Sequence, residues 1–365
     1  MVLEPRVLGF CPKRLERVTT LLQSGVDQGV FPGAVALVCR RAGIAYYRAV
    51  GLAARQPQPR PARTDTIYDL ASLTKVVATT PAILTLVERG ALRLDDPVSV
   101  YLPEFEGDGR EGVTVRHLLA HSSGLPAWID LTRAAASPDQ RLAAVLAQPL
   151  ENPPGTKVVY SDLGFILLGL LVSRLSGDPL DRFCQENIFR PLGMTETGYL
   201  PGPELKLRIA ATEYRPERGI YQWAEVHDEN TLALGGVAGQ AGLFAPAADL
   251  ARYARCLLNG GQLDGFRLLA PATLAAMRRN QTPGLNWPRG LGWDLISPTF
   301  SSGGDLLSPE AYGHTGFTGT SLWIDPQLDL GIILLTNRVH LGRENTGIIS
   351  FRPRLANAVA AALER

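Results

Sequence analysis

Ser72 and Lys75 stand three residues apart in the run Asp69-Leu70-Ala71-Ser72-Leu73-Thr74-Lys75. If a helix begins at the serine, both side chains lie on one face within reach of each other. A serine hydroxyl is a poor nucleophile at neutral pH and needs a neighbouring base. A lysine can help in two ways: burial lowers its pKa, or its charge stabilises another base. The helix N-terminus adds backbone N–H groups and a positive dipole end for a developing oxyanion. The chain has only four lysines (Lys13, Lys75, Lys157 and Lys206) among its 36 basic residues, so one in this position carries weight. Taken alone, Ser-x-x-Lys equally describes an N-cap serine followed by a surface lysine.

Two further clusters bear on the same chemistry. Tyr160-Ser161-Asp162 precedes the apolar run Leu163–Val172. A tyrosine at the mouth of a helix can aim its hydroxyl at a neighbouring site, and beside a cation it can ionise and act as a general base. The plainer alternative is a packing tyrosine with Ser161 or Asp162 as N-cap, and the two are compatible. His314-Thr315-Gly316 opens a late strand region. Glycine there lets a substrate approach a strand edge closely, and the N–H of Phe317 is a candidate second oxyanion donor. An incidental histidine in a glycine-rich strand is the alternative.

Other signatures fail. No serine sits in G-x-S-x-G and there is no H-E-x-x-H. Gly107–Gly112 matches G-x-G-x-x-G, but no strand precedes it and its acidic residues would repel a phosphate; it reads as a surface loop. His117 and His121 have i,i+4 spacing, yet no glutamate lies between them and no third ligand is apparent, so no metal is expected.

The elements that must hold these residues follow from periodicity. Pro12–Val30 has helical spacing. Ala34–Arg40 and Gly43–Val50 read as paired strands, and Ala53–Thr64 as a solvated connection. Helices are predicted over Leu73–Arg89, Val115–His121, Gln140–Ala147, Asp162–Leu175, Pro179–Ile188, Ala247–Leu258 and Pro271–Arg279. Three strands follow at Tyr312–Gly316, Thr320–Ile324 and Leu330–Leu335, then a helix over Phe351–Leu363. This order predicts an α/β domain from residues 1–60 and 290–365, with an antiparallel sheet of about five strands flanked on one face by the terminal helices. Residues 61–289 would form an inserted, mainly helical domain.

Composition limits the function. Of the 365 residues 45% are hydrophobic, which suits a globular protein. Lys plus Arg is 36 and Asp plus Glu 35, a net charge of +1. That balance argues against a nucleic-acid binder working through bulk charge. The longest proline-free apolar run, Leu163–Val172, is half the length of a membrane span. Charges at Glu4, Arg6, Lys13, Arg14, Glu16 and Arg17 leave no apolar core for an export signal, so a cytoplasmic location is expected. The cysteines Cys11, Cys39, Cys184 and Cys256 form no C-x-x-C pair and are expected to be reduced.

Ser-x-x-Lys, Tyr-Ser-Asp and His-Thr-Gly, in this order and on this architecture, resemble the penicillin-recognising serine hydrolases. These include class C β-lactamases, D,D-peptidases and β-lactamase-like carboxylesterases. Ala91–Pro103, Val115–Pro126, Asp162–Gly169 and Ala241–Leu250 extend the likeness over essentially the whole chain. The resemblance implies a class C β-lactamase-like fold, with Ser72 as acylated nucleophile, Lys75 as its activating partner and Tyr160 as general base. It places His314 where the third motif has Lys or His. It implies the N–H groups of Ser72 and Phe317 as oxyanion hole, and Asp162, Thr315 and Gly316 as substrate contacts. No cofactor is implied.

The stretch Trp223–Phe244 is similar to a subgroup linked to cell-wall peptide turnover. Its run His227-Asp228-Glu229-Asn230 is expected to be a structural loop near the cleft and a candidate for substrate contact. Two departures bear on substrate. His314 replaces the commoner Lys and is expected to be neutral at pH 7, which would weaken carboxylate capture and favour uncharged esters or amides. Asp162 replaces the commoner Asn and would hold Lys75 charged. The expected activity is therefore cleavage of a small ester first, of a muropeptide or D,D-peptide second and of a β-lactam third. A non-catalytic binding protein on the same fold is the alternative from another class. The oligomeric state is left open. Trp287, Trp293 and Trp323 are expected in the core.

Overall fold

The computed structural model describes residues 2–134 and 136–364. Its main sheet has seven antiparallel strands: β1 (Gly33–Arg40), β2 (Gly43–Ala54), β3 (Arg60–Pro61), β4 (Asp294–Leu295), β5 (Tyr312–Thr315), β6 (Ser321–Asp325) and β7 (Leu330–Thr336). The spatial order is β4-β5-β6-β7-β1-β2-β3, so strands from both ends of the chain meet at β1 and β7. Val38 lies opposite Ile332 and Leu37 opposite Ile333. The five expected strands form the centre. The two additions are two-residue edge pieces, and β3 lies within the stretch read as a solvated connection. Pro61 is tolerated there because an edge strand can spare an N–H.

β1 is apolar along its length because both of its faces are covered. Val35, Leu37 and Cys39 join the core shared with the helical residues. Ala34, Ala36 and Val38 face α1 (Arg17–Asp27) and α5 (Gly347–Ala360). Each fully buried aliphatic side chain contributes about 1.5–3 kcal/mol. The rings of Phe31 and Phe351 meet edge to face, with centroids 5.0 Å apart, at the seam of the terminal helices. On the opposite face α4 (Ala247–Leu258) packs against β1 and β7. Residues 61–289 therefore contribute one helix to the sheet layer as well as the remaining helices.

Two helices reach the site. α2 (Thr80–Glu88) is preceded by a π-turn over Lys75–Thr79, every residue of which is buried. Such turns are rare and concentrate at functional sites. α3 (Asp162–Ser176) is capped by Ser161, whose hydroxyl accepts from the Gly164 N–H at 3.3 Å. Leu163–Gly169, Leu171 and Val172 bury α3 on nearly all sides. Among the described residues no single helix is long and apolar enough to cross a membrane.

Candidate active site

Ser72 begins the segment that leads into α2. Its predecessor Ala71 holds a left-handed φ of 47°, a costly conformation for a residue with a Cβ. The surroundings impose it. The buried Asp69 carboxylate accepts from the Ala71 N–H at 2.8 Å and from the His227 N–H at 2.6 Å. Thr318 donates its hydroxyl to the Asp69 carbonyl at 2.8 Å, and Thr320 to that of Leu70 at 3.0 Å. The turn bearing Ser72 is thus tied to the loop between β5 and β6. Burial raises the Asp69 pKa against these bonds.

Lys75 is fully buried, contrary to the surface-lysine alternative. Its Nζ donates to Ser72 Oγ at 3.0 Å, Asp162 Oδ1 at 2.7 Å and the Gln240 carbonyl at 3.1 Å. An ammonium has three N–H groups, and these acceptors occupy all three. Burial alone would lower the lysine pKa, but the charge of Asp162 and the Tyr160 hydroxyl outweigh it and raise the pKa. Lys75 is therefore an ammonium at neutral pH, with no lone pair for the serine proton.

Tyr160 lies across Lys75, with Nζ 4.9 Å from the ring centroid, and its hydroxyl reaches both Lys75 and Ser72. Desolvation raises the phenol pKa more than Lys75 lowers it, so the resting phenol is protonated. Two imidazoles flank the ring, His121 at 4.5 Å and His314 at 5.8 Å between centroids. Their tautomers are fixed by their partners. His121 Nδ1 accepts from the Ser161 N–H at 3.0 Å, so its proton is on Nε2. His314 Nδ1 faces the Thr315 carbonyl at 2.8 Å and must donate, which leaves Nε2 as a lone pair. Neither Nε2 has a protein partner among the described residues. Burial, Arg289 and Lys75 hold both rings well below the usual histidine pKa.

Neither the Ser72 nor the Phe317 amide donates to a protein acceptor among the described residues, and both residues line the cleft. The approach of the two segments depends on Gly316. A Cβ there would lie 2.1 Å from Thr320 Oγ1 and 2.4 Å from the Leu70 carbonyl oxygen. Gly316→Ala is expected to push the strand from the Ser72 turn and to lower kcat/KM about 100-fold, the scale of a roughly 1 Å misplacement. Steady-state kinetics beside an unchanged circular-dichroism spectrum would check this.

The cleft has two lobes that meet at Ser72, Tyr160 and Phe317. The larger, about 660 Å³, continues past His314, Thr315 and Gly316 to Arg338 and Arg352. The smaller, about 300 Å³, is walled by Trp128, Asp162, Asp228 and Gln240. Arg352 is 8% exposed and donates only to the carbonyls of Gly316 and Thr320; burial lowers its pKa to about 9, so it stays charged at pH 7. Arg338 donates to the carbonyls of Phe317, Arg343 and Asn345. Neither forms an ion pair among the described residues. Arg289 is paired with Asp294, and Arg343 with Glu213 and Glu229.

The structure thus brings Ser72, Lys75, Tyr160, Asp162, His314, Thr315, Gly316 and Phe317 to one cleft. It also places His227, Asp228 and Glu229 there. Trp293 and Trp323 are in the core as expected, whereas Trp287 lines the cleft, a correction to its expected core position. Reasoning from the sequence missed Asp69, His121, Gln240, Arg338 and Arg352. The Asp69-x-Ala71 spacing, typical of a carboxylate bonding a backbone N–H two residues on, was an available signal. No group of three or more His, Cys, Asp or Glu among the described residues is arranged to hold a metal.

This fold and constellation define a serine hydrolase of the β-lactamase type. The Beta-lactamase family model matches residues 18–350, and the chain belongs to that family. The protein named "Putative D-alanyl-D-alanine carboxypeptidase" in Escherichia coli (strain K12) is 36% identical over 375 residues, covering 92% of this chain and 85% of its own. One of the same name in Salmonella agona (strain SL483) is 33% identical, with the same coverage. Among solved structures, a penicillin-binding protein homologue from Caulobacter crescentus is similar with a TM-score of 0.77 and 26% identity, covering 97% of this chain and 99% of that one. EstCE1, a hydrolase with promiscuous acyltransferase activity, shares the fold with a TM-score of 0.76 and 24% identity, covering 95% and 99%.

Proposed function

We propose that the protein cleaves a short peptide ending in a free carboxylate, of the D-alanyl-D-alanine kind, through an acyl-Ser72 intermediate. The observation that carries the substrate class is the pair Arg338 and Arg352, two cations without a carboxylate partner in the lobe that contains His314. Ester cleavage, expected first from the sequence, rested on a neutral His314. The imidazole is neutral, but these two guanidiniums supply the charge it lacks, and guanidinium is well suited to a carboxylate. The names of the 36%- and 33%-identical relatives support the same reading.

The proposed chemistry uses the residues as protonated at rest. Ser72 Oγ attacks the carbonyl carbon while its proton passes to Tyr160, whose own proton moves through one water to the Nε2 lone pair of His314, which the Tyr160 hydroxyl does not touch directly. Lys75 stays charged and stabilises the phenolic oxygen during transfer. The Ser72 and Phe317 N–H groups hold the oxyanion. Collapse breaks the C–N bond, the leaving amine takes a proton from Tyr160, and His314 returns its proton to the phenolate, which restores the resting state. Water repeats the sequence on the acyl-enzyme.

A paired assay tests the substrate class. Nα,Nε-diacetyl-L-Lys-D-Ala-D-Ala is expected to be cleaved at least 10-fold faster than its C-terminal amide, and Arg352→Met to narrow that ratio. Equal rates would return the ester reading, and a p-nitrophenyl ester and a chromogenic cephalosporin run alongside would show which bond is preferred.

The acid limb offers a second check. His314 must be unprotonated, and its pKa lies well below the ordinary 6.5 or so. The kcat/KM profile is therefore expected to stay flat as pH falls from 8 through 6.5, and to drop only further into acid. A midpoint at 6.5 would remove His314 from the proton path.

A further inference from the structure

We infer that the smaller lobe of the cleft is a subsite for a primary ammonium group on the acyl half of the substrate, held by Asp228, the Gln240 side-chain carbonyl and the Trp128 ring. The inference deepens the proposed function and rests on it.

Charge pairing in the lobe leaves one group over. Asp162 is neutralised by Lys75 at 2.7 Å, and Glu229 by Arg215 and Arg343 at 2.5 and 2.7 Å. Asp228 has no cation within ion-pair distance among the described residues. Its Oδ1 accepts from the Thr231 N–H and hydroxyl, both at 2.7 Å, and from Gln240 Nε2 at 3.3 Å. These bonds orient the carboxylate without neutralising it. Its pKa is raised by burial and by nearby Asp162, as befits a carboxylate that lacks a counter-charge.

Gln240 is the second, independent observation. It is 1% exposed, and its Nε2 donates to Thr231 Oγ1 at 2.8 Å. Because Thr231 gives its own proton to Asp228, Thr231 Oγ1 accepts from Gln240, and this fixes which end of the amide is oxygen. Gln240 Oε1 is buried with no partner, although Gln240 lines the lobe. A buried acceptor without a donor is destabilising, so a ligand that brings an N–H donor to it is favoured. A carboxylate and a bare carbonyl oxygen together call for a donor that carries positive charge. Trp128, 48% exposed, lines the same lobe, and an indole ring is a favourable neighbour for such a cation.

The proposed carboxylate site decides which half of the substrate lies here. Arg338 and Arg352 are in the larger lobe and not in the smaller one. The terminal carboxylate belongs to the leaving residue, so that residue lies with Arg338 and Arg352. The acyl half then occupies the lobe of Asp228. The cleft is therefore polarised, anion-binding on the leaving side and cation-binding on the acyl side.

The ammonium can come from the α-amine of the acyl residue itself or from the side chain of a diamino residue one position earlier. Two substrate pairs separate these sources: D-Ala-D-Ala against N-acetyl-D-Ala-D-Ala, and Nα-acetyl-L-Lys-D-Ala-D-Ala against its Nε-acetylated form. In one of the pairs the free amine is expected to raise kcat/KM at least 10-fold, and that pair identifies the source. Asp228→Asn is expected to bring the ratio near unity by raising KM for the free-amine substrate. Trp128→Leu, at an exposed rim position with little risk to folding, is expected to reduce the ratio in the same direction. Ratios near unity in both pairs for the native enzyme, or a ratio that survives in both variants, would overturn the inference. A third arm needs no peptide turnover: protection of Ser72 from a fluorophosphonate probe by n-butylammonium against n-butanol. Protection at 10-fold lower concentration by the ammonium supports the subsite even if peptide cleavage is not found, whereas equal protection counts against it.

Discussion

Lys75→Met is expected to lower kcat/KM by about 10⁴-fold, the scale on which removal of a central member of a catalytic constellation is felt. The same change is expected to destabilise the fold. Lys75 has no exposed surface, while the Asp162 side chain keeps 21% of its own. Removing one partner of a buried pair costs about 3–5 kcal/mol, and the residual exposure of Asp162 sets the expectation at the lower end, about 3 kcal/mol. Denaturant unfolding measures one effect and steady-state kinetics the other. The double variant Lys75→Met with Asp162→Asn separates them: removing the stranded carboxylate should restore much of the stability and none of the turnover. Recovery of activity in the double variant would mean that Lys75 serves only to neutralise Asp162.

Tyr160→Phe is expected to lower kcat by about 10²–10⁴-fold, the usual contribution of general acid–base catalysis. KM should move little, because the ring stays between His121 and His314 and the cleft keeps its shape. Labelling of Ser72 by a fluorophosphonate should slow in parallel, since the serine still has to lose its proton. Full activity in this variant would transfer the base to another group. Because the three Lys75 N–H groups are already engaged, that group would have to be His314 or a water it activates.

Side-chain type made much of this site readable from the chain. Ser72, Lys75, Tyr160, Asp162 and His314 announce themselves because the chemistry proposed for them resides in their own functional groups. The Lys75–Asp162 contact and the neutrality of His314 both follow from elementary charge arguments. What escaped notice acts through backbone or through conformation. Gln240 holds Lys75 with a main-chain carbonyl, which every residue type possesses. His121 attracted attention as a metal ligand, but its value is a fixed tautomer against the tyrosine, and that depends on Ser161 lying opposite. Arg338 and Arg352 are distant from the motifs and two among 32 arginines, so nothing in their local sequence distinguished them.

The fold was legible to a similar depth. Short apolar runs bounded by turn residues gave the five long strands, and the amphipathic spacing of Ala247–Leu258 gave α4 to the residue. The strands Arg60–Pro61 and Asp294–Leu295 are too short to show any period. The last helix spans Gly347–Ala360 rather than Phe351–Leu363, because Ile348 and Phe351 already bury themselves against the sheet in its first turns.

The pairing of β1 with β7 also bears on how the protein is made. Val38 meets Ile332, a partner synthesised almost 300 residues later. At about 5–20 residues per second the first strand waits roughly 15–60 s for its neighbour. During that time β1 has only β2 beside it, and both of its faces are apolar. A strand pair of this kind is an open template for misassociation. The nascent chain therefore carries an apolar segment at Ala34–Cys39 that waits for its partner strand from early in translation. A polar substitution there would act on yield before it acted on activity.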